Sequence, residues 1–81
     1  MAIINEVYSI LDEYETEGCD LYNSNVVLAI GHFFRTKHPE VMWVCDVSEW
    51  PNEEGAVYAF AWVENNKPDL VMFDVKYSRG V

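Results

Sequence analysis

The stretch AVYAFAWVENNKPDLVMFDVKY, residues 56–77, decides the fold. Two apolar runs flank the connector NNKPD, and each alternates with a period of two rather than 3.6. NNKPD is short and reads as a tight connection. The segment therefore predicts two strands, 56–64 and 70–77, joined by a short link. Immediately upstream, VMWVCDV (41–47) has the same period, and the loop SEWPNEEG (48–55) separates it from the second strand. Three consecutive strands with short connections predict an antiparallel meander.

Working towards the N-terminus, the period changes. In residues 2–17, Ile3, Val7, Ile10 and Tyr14 form one row, and Ile4, Tyr8 and Leu11 form a second beside it. This is a helical stripe, with Gly18 placed to end it. A second helix is expected from Asn23 or Ser24, both good N-caps, through NVVLAIGHFFRTK to Pro39. It has little polar face, so it should be the more buried of the two, and Gly31 in its middle suggests a close approach. Arg35 and Lys37 in its last turn complement the helix dipole. The fold class is α+β, two N-terminal helices followed by a three-stranded antiparallel meander (ααβββ), as one compact domain over residues 1–81 with the helices on one sheet face.

That arrangement raises a question about the other face. On the middle strand, Val57, Ala59, Ala61 and Val63 alternate with Tyr58, Phe60, Trp62 and Glu64, so neither side is polar. A half-solvated antiparallel sheet normally shows cleaner alternation. Either an apolar or aromatic patch stays exposed as an interface, or the helices straddle the sheet, or long side chains shield the second face.

Composition narrows the function. The chain has 81 residues, 51% of them hydrophobic, with fourteen acids against five bases and a formal charge of −9. Nucleic acid and anionic membranes repel such a chain, whereas basic protein surfaces attract it. Direct nucleic-acid binding is therefore not expected. The N-terminal residues lack the basic, then apolar, pattern of a signal peptide, and no run approaches the ~18 apolar residues of a membrane span. A cytoplasmic protein is expected, with Cys19 and Cys45 as reduced thiols rather than a disulfide.

No catalytic signature is present: GxSxG, the P-loop and GxGxxG are all missing. Glu13, Glu15, Glu17 and Gly18 outline the start of a calcium loop, but Ser24 stands where the bidentate Glu belongs. His32, His38, Cys19 and Cys45 lack zinc-ligand spacing. Cys45, alternating with Trp43, reads as a core thiol. The expectation is a non-enzymatic protein without cofactor or metal.

The densest feature is the acidic run LDEYETEGCD (11–20). Glu13, Glu15 and Glu17 crowd the negative end of the first helix, a placement that stability does not favour. Asp12, Glu13, Glu15, Glu17 and Asp20 are read as the edge of a surface for a basic protein partner. Glu49, Glu53 and Glu54, around an aromatic anchor at Trp50, continue it. In size, acidity and lack of catalytic residues the chain resembles the small inhibitors that phages make against host defence, including anti-CRISPR and anti-restriction proteins, some of which mimic DNA in charge. That likeness is one of composition. It implies inhibition of a nucleic-acid-handling protein in the host cytoplasm. An immunity protein against a basic toxin nuclease shares the acidic logic, and a small accessory domain that homodimerises through its sheet face is the other alternative.

Overall fold

The computed structural model describes residues 2–15, 21, 25–49 and 55–76. Two helices, α1 (Ile3–Tyr14) and α2 (Asn25–Lys37), precede strands β1 (Trp43–Glu49), β2 (Gly55–Glu64) and β3 (Lys67–Lys76). The strands form one antiparallel sheet in the order β1-β2-β3. The ααβββ arrangement is thus the fold.

Register assigns the faces. Cys45 lies opposite Phe60, which lies opposite Val71, and directly paired residues point to the same side. Trp43, Tyr58, Phe60, Trp62, Phe73 and Val75 share that side. The core is built there: Val7 and Leu11 of α1 and Ile30 and Phe34 of α2 are buried with Phe60, Trp62, Val71 and Val75. Both helices therefore lie on the aromatic face and do not straddle the sheet. A row of rings crosses the strands beneath them. Phe34 stacks on Trp43 at 5.4 Å, Trp43 on Phe60 at 5.8 Å, and Phe60 on Phe73 at 6.0 Å. Offset stacks of this kind add about 0.5–1.5 kcal/mol each beyond area burial.

The helices differ in detail from expectation. Helix α1 ends at Tyr14, and Glu15 is already extended (φ −76°, ψ 133°) and bridged to Leu21. Leu21 in turn bridges Val75 in parallel, and its carbonyl accepts from the Lys76 N–H. The chain leaves the helix early because Leu21, 3% exposed, is drawn into the core beside β3. Gly18, the expected stop, falls outside the described residues. The buried row of α1 is Ile3, Val7 and Leu11, while Tyr8 faces outward.

Helix α2 buries a single stripe, Val26, Ile30, Gly31 and Phe34, and leaves Leu28 66% exposed. It is not wrapped on all sides, because only one sheet face and one other helix are available to cover it. At Gly31 an added Cβ would lie 3.4 Å from the flexible end of Arg35 and 3.5 Å from the Trp43 ring, so a methyl group fits. The glycine is not forced by close packing.

Asn65 and Asn66, with φ of 52° and 64°, make the two-residue turn between β2 and β3. Both positive values match a type I′ hairpin, whose twist suits the flanking strands. Strand β3 accordingly starts at Lys67. Pro68 sits on it without harm because β3 is an edge strand. No helix among the described residues is long and apolar enough to cross a membrane.

Candidate interaction surface

The acids of α1 lie on its outer side. Asp12 and Glu13 occupy the last turn, Glu15 follows the helix end, and all three are exposed. Two of them join a further acid from the sheet. Asp12 and Glu15, together with Asp74 of β3, line a cleft of about 300 Å³ between α1 and the β3 edge. Its apolar floor comes from Tyr8, Leu11, Leu21, Met72 and Phe73. Among the described residues its lining includes no basic one. The early end of α1 shapes this cleft, since Glu15 bridges Leu21, which in turn bridges Val75 of β3. Carboxylates around apolar side chains suit a Lys or Arg, whose aliphatic stem packs on the floor while its charge meets the rim.

The other expected surface residues are dispersed or undescribed. Glu49 is exposed at the end of β1, level with Ala56 of β2 and Val75 of β3. It is thus at the same end of the sheet as the cleft, but two strand spacings away, about 10 Å. Glu17, Asp20, Trp50, Glu53 and Glu54 fall outside the described residues. Asp74 was not among the expected residues. Its signal was the alternation that puts it on the same side as Leu70 and Met72.

The opposite face of the sheet is open. Val44 (63% exposed), Leu70 and Met72 flank Ala59 and Ala61 of the central strand, with Val57, Val63 and Pro68 continuing along it. The exposed patch is aliphatic, because register sends the aromatic set to the helices. Near one end, Met42, Val44, Ala61, Val63 and Pro68 outline an apolar depression of about 280 Å³. Met72 and Asp74 belong both to this face and to the acidic cleft, so the two surfaces are continuous over the β3 edge.

Groups with chemical potential elsewhere are already occupied. The larger depression, about 640 Å³, is lined by Ile3, His38, Glu40, Met42 and Glu64 among others. Within it His38 Nε2 lies 3.1 Å from Glu6 Oε2, and the Glu64 carboxylate accepts from the Ile3 N–H at 3.1 and 3.3 Å. Both pairs are tertiary, joining residues 32 and 61 positions apart, and sequence alone carries no local sign of them. Cys45 is a free, exposed thiol rather than a core one, because β1 extends beyond the cover of the helices. Partial burial, and then the neighbouring Asp46, push its thiol pKa above the ordinary value. Among the described residues no group of three or more His, Cys, Asp or Glu could hold a metal ion.

Comparison with known protein families, with curated proteins and with solved structures finds no match to this chain. Its function has to be argued from its own surfaces.

Proposed function

We propose that this chain is a non-enzymatic binding protein that inhibits a protein partner with a basic, nucleic-acid-handling surface, in the manner of the phage anti-defence inhibitors that its composition resembles. The observation that carries the reading is the convergence of Asp12, Glu15 and Asp74 on one cleft, with no base among the described residues of its lining, in a chain of net charge −9. Such a surface competes for the groove where a partner holds phosphates, and it attracts that partner over a distance set by screening, about 8 Å at physiological ionic strength. Direct nucleic-acid binding is disfavoured by the same charge.

The test is capture from cell extract on the immobilised chain at low salt. The captured protein should be released by salt and by competing duplex DNA. It should be lost from the Asp12→Asn, Glu15→Gln, Asp74→Asn variant. A captured protein indifferent to salt and to the variant, or a gel shift of DNA by the chain itself, would overturn the reading. The second reading, a homodimerising domain, is favoured by one observation, the open aliphatic face, and sedimentation at neutral pH tests it.

A further inference from the structure

We propose that the open face of the sheet is the docking site for a basic amphipathic α-helix of the partner protein. This inference rests on the reading of the chain as a binder of basic proteins and specifies what that partner presents.

The shape of the face comes first. The central strand contributes only methyl groups at Ala59 and Ala61, while β1 and β3 on either side raise Val44, Leu70 and Met72. Neighbouring strands are about 4.8 Å apart, so the raised rows are separated by about 10 Å. That spacing is backbone to backbone, and the side chains of the two rows narrow it, so the apolar stripe of a helix, rather than its whole cylinder, seats between them. The methyl floor at Ala59 and Ala61 is bounded by Val63 and Val57, six residue steps or about 20 Å apart at 3.4 Å per residue. A helix of about sixteen residues spans it.

The margins set the charge of the occupant. Asp46 of β1 stands opposite Ala59 within the trough, Asp74 of β3 stands opposite Val57 at one end, and Glu40 lines the depression that holds Met42 and Val63 at the other. Among the described strand residues on this side, the sole base is Lys76, beyond Asp74. A helix with one apolar stripe and Lys or Arg on its shoulders meets aliphatic side chains below and carboxylates at its sides. Its basic residues on the β3 side reach the cleft of Asp12 and Glu15 across Met72 and Asp74, which the two surfaces share.

A second copy fits less well. Strands of seven, ten and ten residues give a face of roughly 440 Å² in projection, small beside the about 800 Å² of accessible surface each partner buries in a standard stable interface. Two copies would also bring net charges of −9 together. A helix seated in a groove needs no more than the face provides, and opposite charge favours it.

The probe is a labelled, sixteen-residue Leu/Lys peptide with leucines at i, i+3, i+4 and i+7, read by fluorescence anisotropy and by methyl NMR of the chain. A scrambled peptide of the same composition should bind about tenfold more weakly, since it lacks the apolar stripe. The Leu/Glu counterpart should not bind. Methyl shifts should concentrate at Val44, Ala59, Ala61 and Leu70. The uncharged changes Ala61→Gln, which fills the trough, and Leu70→Ser, which lowers its wall, should each weaken binding without altering the melting temperature of this exposed face. Equal binding of the scrambled peptide, shifts confined to the helices, or a dimer of the unmodified chain held through Leu70 at pH 7 and low salt would overturn the inference. If Ala61→Gln and Leu70→Ser have no effect while Asp12→Asn and Glu15→Gln abolish binding, the docking face fails and the basic partner stands. If neither set has an effect, both readings fail.

Discussion

At the scale of single residues, the most instructive is Glu64. Helix α1 begins at Ile3 after Ala2, which has no side chain to cap it. The carboxylate of Glu64, from the far end of β2, accepts the Ile3 N–H instead and places negative charge at the positive end of the helix. Glu64→Ala should therefore lower stability by about 1 kcal/mol, as loss of an N-cap does. Ala2→Asp should restore most of the loss by capping the neighbouring N–H of Ile4 or Asn5, yet add less when Glu64 is present, because both carboxylates compensate the same helix-dipole charge and repel each other. Chemical denaturation of the four proteins measures this, and strictly additive effects would show that Glu64 does not cap the helix. Cys45 offers a second test. Its thiol is exposed, but partial burial and Asp46 hold its pKa above the ordinary value. A raised pKa leaves less thiolate at a given pH, and the thiolate is the nucleophile. At pH 8, in a Cys19→Ser background, iodoacetamide should react with Cys45 more slowly than with a short unstructured peptide thiol. Asp46→Asn should speed the reaction. A rate equal to that of the peptide thiol would count against this account of the site.

At the scale of elements, the β2–β3 hairpin was legible because its turn chemistry and its period agree. Asn65 and Asn66 stand where a type I′ turn needs positive φ, and the apolar runs on either side share a face. Asn66→Ala should destabilise the chain by about 1 kcal/mol, the cost of a Cβ in left-handed backbone, whereas Asn66→Gly should hold or raise stability. Equal melting temperatures for the two variants would mean the turn has another conformation. The helices were legible in existence but not in extent. The end of α1 is set by Leu21 reaching the core beside Val75, a contact that no local signal announces. This also reduces the mismatch between the acidic run and the helix dipole, since Glu15 stands beyond the helix rather than inside its last turn. Helix α2 looked all-apolar, but whether Leu28 is covered depends on how many partners the fold supplies, and among the described residues only the stripe of Val26, Ile30, Gly31 and Phe34 is buried.

At the scale of the whole molecule, the sequence posed the question of the second sheet face without answering it. The answer needed register, which pairs Cys45 with Phe60 and Val71 and so sends every sheet aromatic beneath the helices. What remains is an aliphatic face on a chain with a net charge of −9 and a pI near 4.3. These two properties oppose each other. An exposed apolar patch favours association, and a large like charge prevents it until the charge is screened or titrated. At pH 7 and low salt the chain should sediment as a monomer. As pH falls towards 4.3 the carboxylates take up protons, net charge approaches zero, and the repulsion disappears while the apolar face is unchanged. Self-association should then set in, with circular dichroism showing that the strands and helices persist. Raising salt to 1 M at pH 7 should act in the same direction, because the screening length falls to about 3 Å. Leu70→Ser should reduce association under both conditions, since it removes apolar surface without altering charge. A stable dimer at pH 7 and low salt, unaffected by pH, would mean that the face is built for a second copy, and that charge has no part in keeping the chains apart.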